Sequence, residues 1–392
     1  MDRSTSRILV THAGALAKPD DVAALVKSKE EGRPYDEQLL ERRLREVVAE
    51  NVKEQLAVGI DVINDGEPSK GSFNYYVRDR IGGLVERTFP KGEGPISLSP
   101  NAREVLDFPE YFAERMGSGA LTRRLFFATE PLSYIGSSTI RQDVENLNLA
   151  VKETNPVAAI LPCVAPGSIE HWMRNEHYDN QEDFLFAIAD VMHEEYKAIT
   201  DAGLTVQIDD PDLPHAWGHV YQIDPNWTIK DYQQYAELRV EALNRSIGDI
   251  PEEQVIVHFC WGGDRPPSGP HLHDLPLEHV IDLIYKIKAQ AYSIAAANPR
   301  HEWEWEVFKD HPLPDGKILI PGVVSQYTDT IEHPRTIAQR LVRYASVVGR
   351  ENVIAGTDCG VGSRVSHPKI GWAKFSSMVE GASIASTELW NS

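Results

Sequence analysis

His258 and Cys260, two positions apart, and Cys359, far along the chain, carry the donor atoms of a soft metal site. The run Val257-His258-Phe259-Cys260-Trp261-Gly262-Gly263 reads as a β-strand entering a glycine turn. Side chains alternate along a strand, so His258 and Cys260 face one way and Phe259 the other. Zinc favours imidazole combined with thiolate, and three protein ligands with an open fourth position describe a catalytic zinc. The competing reading makes both cysteines small buried hydrophobes.

Other polar residues stand where short apolar runs end. Asp209 and Asp210, in Asp209-Asp210-Pro211-Asp212, could orient a ligand histidine, hold a cationic part of a substrate, or cap the next helix. Asp65 and Glu67, in Asn64-Asp65-Gly66-Glu67, offer carboxylates to a substrate or simply build a turn. His12 is a candidate proton shuttle or substrate contact, against a satisfied structural histidine. Cys163, with no His or carboxylate close in sequence, reads better as a buried hydrophobe than as a ligand.

The elements that must position these residues form a regular series. β-branched apolar runs fall at 7–11, 60–63, 157–161, 204–208, 254–257, 291–294, 317–320 and 352–355, with helical stretches between most of them. Eight alternations of strand and helix predict a parallel (β/α)8 barrel, whose active sites gather at the C-terminal ends of the strands. That architecture brings 258–260 and 359 to one mouth. An open doubly wound sheet is the alternative, but Thr11-His12-Ala13-Gly14-Ala15 lacks the dinucleotide-binding glycine spacing. The chain is read as one barrel over 1–392, with 84–151 inserted between its second and third strands. That insertion reads as a hairpin at 125–129 and 132–135, followed by a helix from Ser138. It would serve as a lid or a homo-oligomer contact. Trp303 and Trp305 alternate with polar residues as in an exposed strand or loop.

A net charge of −20 disfavours nucleic-acid binding, which relies on clustered Lys and Arg. No apolar run reaches the roughly 20 residues of a membrane span, and 1–6 lack the apolar core of a signal peptide. Three cysteines are too few for a disulfide framework, so a reducing cytoplasm is expected.

Six motifs then converge on one family: Thr11-His12-x-Gly14, Asn64-Asp65-Gly66-Glu67, Gln207-Ile208-Asp209-Asp210-Pro211, His258-x-Cys260-Trp261-Gly262, Ala297-Asn298-Pro299-Arg300-His301-Glu302 and Gly356-Thr357-Asp358-Cys359-Gly360. Over nearly its whole length the chain resembles the C-terminal barrel of cobalamin-independent methionine synthase and its single-domain relatives, which include epoxyalkane:coenzyme M transferase. The resemblance implies a (β/α)8 barrel with zinc on His258, Cys260 and Cys359, activating a small-molecule thiol as a zinc-bound thiolate toward a methyl or alkyl donor. It places Asp209, Asp210 and His12 in the catalytic set, and Glu67, Asp65, Trp261 and Gln326 among substrate contacts, with Glu67 matching the family's contact to the homocysteine amine. Departures point to a changed substrate. Ala295 stands where the methionine synthases have a fourth, glutamate ligand, Ala15 where they have a substrate-contacting serine, and Ser325-Gln326 where relatives commonly have Asp-His. Carbon–sulfur cleavage or epoxide–thiol transfer on the same centre, a zinc hydrolase, and a degenerate ligand-binding barrel remain as alternatives.

Overall fold

A computed structural model describes the whole chain except residues 73–74, 91–92, 94–101, 117–121, 263–269, 363 and 392. In chain order the strands are β1 (Leu9–Val10), β2 (Val62–Asn64), β3 (Ile81–Pro90), β4 (Thr122–Tyr134), β5 (Ala158–Val164), β6 (Met173–Asn175), β7 (Thr205–Asp209), β8 (Val255–Phe259), β9 (Ala291–Ile294), β10 (Ile318–Val324) and β11 (Ile354–Thr357). Eight of them pair in parallel in the order β1-β11-β10-β9-β8-β7-β5-β2. A parallel bridge from Thr11 to Val62 joins the two ends, and the sheet closes into a (β/α)8 barrel. These are the eight runs expected from the sequence.

The barrel interior is filled by Leu9, Val62, Ile160, Ile256, Ala291, Ile318, Ile320 and Ile354, a cluster separate from the larger core between strands and helices. Each interior residue fixes the parity of its strand, because side chains alternate with period two. With Ile256 inside, His258 also points inward. With Ile160 inside, Cys163 points out toward the helices. The helices are set by local signals: Asp36 caps the helix Glu37–Val58 by accepting from the Leu39 N–H at 2.9 Å, and Thr228 and Asp231 form a capping box on Ile229–Ile247. No helix is long and apolar enough to cross a membrane among the described residues.

Several expectations need correction. Residues 125–135 are not a hairpin: β4 continues past Glu130-Pro131 with a bulge at 129–132, pairing antiparallel with β3 on both sides of it and parallel with β6. A register shift between Gly82 and Leu84 accommodates the proline, which has no N–H to give the ladder. Gly83 is required there. Its φ is +86°, and a Cβ on it would lie 2.6 Å from the Pro131 carbonyl oxygen. The helix Ser137–Thr154, read as part of the insertion, packs against Glu37–Val58 and Gln181–Asp201 as a member of the barrel's helical layer. Between β8 and β9 the α-helix is the single turn Ile281–Ile284 among the described residues. Trp303 and Trp305 lie on the 3-10 turn Glu302–Glu306 rather than on a strand.

A buried ionic knot ties the three-stranded sheet to the barrel. Arg80 contacts Asp143 at 2.6 Å and Glu195 at 3.1 Å, and Tyr76 and Tyr134 donate to the two oxygens of Glu195 at 3.1 and 2.9 Å. Cys163 donates its S–H to the same carboxylate at 3.4 Å, so its place is structural. Burial, and then Glu195, push its thiol well above the ordinary value. Removing one partner of such a knot leaves a buried charge uncompensated. Glu195→Ala should therefore destabilise the chain by about 3–5 kcal/mol, read from urea unfolding midpoints. Loss below 1 kcal/mol, on the order of an exposed pair, would show that the knot is not closed in solution.

Candidate metal and substrate site

His258, Cys260 and Cys359 meet at the mouth. One donor atom from each lies within 4.8 Å of the others, and His258 and Cys260 are buried while Cys359 is partly exposed. The His258 ring is held by its neighbour strand: β8 and β9 pair His258 with Ser293, and His258 Nδ1 lies 2.9 Å from Ser293 Oγ. That leaves Nε2, buried and without a hydrogen-bond partner. A buried orphan nitrogen beside two sulfurs suits a cation, and a hydrogen bond on the other ring nitrogen is the usual companion of a metal-bound histidine. The residues fit zinc. Electrostatics agree in direction. The Cys359 thiol is held well below its ordinary value, chiefly by the hydrogen bond from Cys260, with burial opposing and His258 adding to the effect. Cys260 is raised through the same contact and through burial.

Asp358 fixes the approach of Cys359. Its Oδ1 accepts from the Ala296 and Ala297 N–H groups, each at 2.7 Å, pinning the β9 loop to the end of β11. Gly322 makes room for it, since a Cβ there would lie 2.1 Å from that oxygen. Ala295, in the same loop, is buried and brings no donor to the centre. Ser293 and Asp358 were not singled out in the sequence. Only strand register and the Asp358-Cys359 adjacency hint at them.

The other candidate residues divide by parity. Asp209, in register with His258, has Gln207 Nε2 donating to it at 2.8 Å. Its carboxyl is raised to about 7 by burial, against the pull of His258. Asp210 turns the opposite way, accepting from Ser168 Oγ at 3.1 Å, away from the mouth. The His12 ring faces the helices, with Nε2 2.9 Å from Gln55 Oε1 and Phe375 packed against it at a 4.7 Å centroid distance. Burial lowers its pKa to about 4, so it stays neutral. Trp261, expected among the substrate contacts, donates to the Leu275 carbonyl at 2.6 Å and stacks on His301 at 3.8 Å, which covers one face of its ring.

Glu67 lies at φ +56°, a left-handed conformation that non-glycine residues adopt at a cost of order 1 kcal/mol or more. Its Oε1 takes a 3.0 Å ion pair from the buried Lys70, a partner the sequence reading missed at a spacing of three. Asp65 Oδ1 accepts from the Glu67 N–H at 3.0 Å and so shapes that turn, and burial raises its carboxyl to about 7. Gln326 is fully buried, and both polar atoms of its amide lack partners. Leaving two such atoms dry costs on the order of 1–3 kcal/mol each.

Comparison with known proteins bears on this geometry. The family model for the cobalamin-independent synthase catalytic domain matches residues 150–383. The chain belongs to that family. It is 22% identical to a methionine synthase of Thermococcus kodakarensis over 377 residues, covering 96% of this chain and 93% of the relative. It is 23% identical to one of Sulfurisphaera tokodaii over 386 residues, covering 97% and 93%. The solved B12-independent methionine synthase of Shewanella sp. W3-18-1, in complex with selenomethionine, superposes with a TM-score of 0.74 at 19% identity, covering 98% of this chain and 100% of that one. A putative one from Listeria monocytogenes superposes at 0.65 and 16%, covering 96% and 98%. At such identities the superpositions establish the shared barrel.

Two predictions follow from the supports rather than the donors. Ser293→Ala frees the His258 ring. Metal held there should then be lost to a chelator about 10- to 100-fold more readily, by competition with a chromogenic chelator; an unchanged constant removes Ser293 from the site. His301 contacts Glu304 at 3.0 Å through Nδ1 and Asp274 at 3.0 Å through Nε2. Burial works against its charge, but those two carboxylates raise its pKa from 6.5 to about 9. Its contribution is complete below pH 6.5, falls as the pH rises and is gone above pH 9. Urea midpoints should decline over that window by the equivalent of about 3 kcal/mol, and His301→Gln should flatten this part of the profile.

Proposed function

We propose that this chain is a zinc-dependent transferase that alkylates a small thiol, divergent from true methionine synthase. The observation that carries the reading is the convergence of His258, Cys260 and Cys359 donors around the orphan His258 Nε2. Zinc bound there supplies the Lewis acidity that lets a thiol with an ordinary pKa of about 8.5 react as thiolate at neutral pH. The chain's own residues bind and orient. Glu67, with Oε1 committed to Lys70, keeps Oε2 for a cationic group on the thiol. Asp209, beside His258, is placed to take the thiol proton. In the transfer the sulfur lone pair forms the new S–C bond and the old bond to carbon breaks toward the donor's leaving group. The unpartnered Gln326 amide offers its NH2 as donor and its carbonyl oxygen as acceptor to a neutral polar group of either substrate. Membership of the cobalamin-independent synthase family supports alkyl transfer over hydrolysis, as do two thiolate ligands, which keep a bound sulfur electron-rich.

The test pairs metal analysis with thiol specificity. Purified protein should contain one equivalent of zinc at this centre, and Cys260→Ser should lose both that zinc and thiol alkylation. Glu67→Gln should raise KM for an amino-acid thiol at least tenfold while leaving KM for a thiol without an amine within a factor of two. Full activity in Cys260→Ser would overturn the reading. Equal effects of Glu67→Gln on both thiols would remove Glu67 from amine recognition.

A further inference from the structure

The described residues contain a second set of converging donors, outside the mouth. His171 lies on the helix Pro166–Trp172 that follows β5, and Asp212 and His219 lie on Asp212–Ile223 after β7. Asp212 and His219 are seven apart, two helical turns, so they share a face. The helix after β5 brings His171 up to that face. One donor atom of each lies within 4.8 Å of the others, and all three residues are buried. The two imidazoles meet edge to face, with centroids 4.6 Å apart and planes at 89°. Their Nδ1 atoms stand 2.9 and 3.7 Å from one oxygen, Asp212 Oδ1.

Internal hydrogen bonding does not account for this arrangement. Both ring nitrogens of His219 lack any hydrogen-bond partner, and so does His171 Nδ1, since its short contact with Asp212 is not aimed along an N–H direction. Buried polar atoms are rarely left so, and three in one cluster ask for a missing partner. His171 Nε2 is already engaged, 2.6 Å from the Tyr235 hydroxyl. If Nε2 donates to that oxygen, Nδ1 carries a bare lone pair close to a carboxylate oxygen, and a cation reached by both makes their approach favourable. Ligand atoms about 2.0–2.2 Å from a common ion at tetrahedral or octahedral angles stand about 2.9–3.5 Å apart; the His171–Asp212 separation of 2.9 Å lies in that range and the His219–Asp212 separation of 3.7 Å just beyond it. Asp210, whose Oδ2 is buried and unpartnered near the cluster, supplies a second carboxylate to balance a divalent charge.

We infer that His171, Asp212 and His219 form a second metal site, for a divalent transition-metal ion of the kind that takes two imidazoles and a carboxylate. The Tyr235 hydroxyl on His171 Nε2 is the outer partner that fixes the ring, as is usual for ligand histidines. The site does not rest on the zinc assignment at His258, because it shares no ligand with it.

Cobalt(II) titration of the metal-stripped full chain tests it, because thiolate ligation gives an intense sulfur-to-cobalt charge-transfer band that imidazole and carboxylate do not. Wild type should take up two equivalents, one with that band and one without. The double variant Cys260→Ser, Cys359→Ser should keep only the equivalent without it. Asp212→Asn and His219→Gln should each lose that equivalent and keep the band; two substitutions are used so that one misfolding variant, detected by circular dichroism, does not decide the matter. A wild type that binds cobalt only with the thiolate band, or a folded Asp212→Asn that still binds the second equivalent, overturns the inference. Loss of the thiolate-bearing equivalent alone would count against the His258 centre and leave this one standing.

Discussion

The period-two alternation of side chains at the ends of the barrel strands is the constraint on which the rest depends. Ile256 in the barrel interior obliges His258 to point inward, and Phe259, of opposite parity, is fully buried in the layer between strands and helices. The same rule sends Cys163 to Glu195 and His12 to Gln55, both on helices. Shifting any of these strands by one residue would exchange the two faces and empty the mouth of donors. Closure by the Thr11–Val62 bridge adds the second condition. It holds the strands in a ring whose C-terminal ends form one mouth, where β8 and β11 can both contribute although far apart in sequence.

A site placed in this way is expensive in buried polar atoms, and the supports show how the cost is limited. Ser293 satisfies one nitrogen of His258, the Ala296 and Ala297 amides satisfy one oxygen of Asp358, and Lys70 satisfies one oxygen of Glu67. In the first two cases the second polar atom of the same side chain is left without a partner. A fold selected for stability alone would have paired or removed these atoms, since each dry donor or acceptor costs on the order of 1–3 kcal/mol. Side chains fixed at one end and free at the other are what a preorganised binding site needs.

The fold and the convergence of His258, Cys260 and Cys359 were legible in the sequence because they depend on local periodicity and on the count of strands. What was missed or misplaced depends on contacts between distant segments. The strand parity that sets His258 and Cys260 on one face turns His12 and Asp210 away from the mouth. For Trp261, expected among substrate contacts, nothing local reveals His301 stacked on it from 40 positions later. Glu130-Pro131 looked like a turn because the ladder does break there: the β4 residues 129–132 stand opposite Gly83 alone on β3, and the chain bulges instead of reversing. His171 and His219 carried no motif at all, their meeting being fixed by how two helices after adjacent strands pack.

Asp209 and Asp210 show how one short segment serves both clusters. Adjacent residues at a strand end must point to opposite sides, so Asp209 faces His258 while Asp210 faces Ser168 and the helices that carry His171 and Asp212. The Asp210 N–H donates to the His258 carbonyl at 2.8 Å, and the Ala165 N–H, at the start of the helix bearing His171, donates to the Asp209 carbonyl at 2.9 Å. The two donor sets are thus tied by backbone hydrogen bonds that run from β8 through β7 to the end of β5. An ion seated on the outer set would stiffen the strand ends that hold Asp209 and His258 in place. Rigid support of that kind would matter more where Ala295 brings no donor and three side chains converge, because a metal held there would have fewer protein bonds and more of its positioning would fall to the strands.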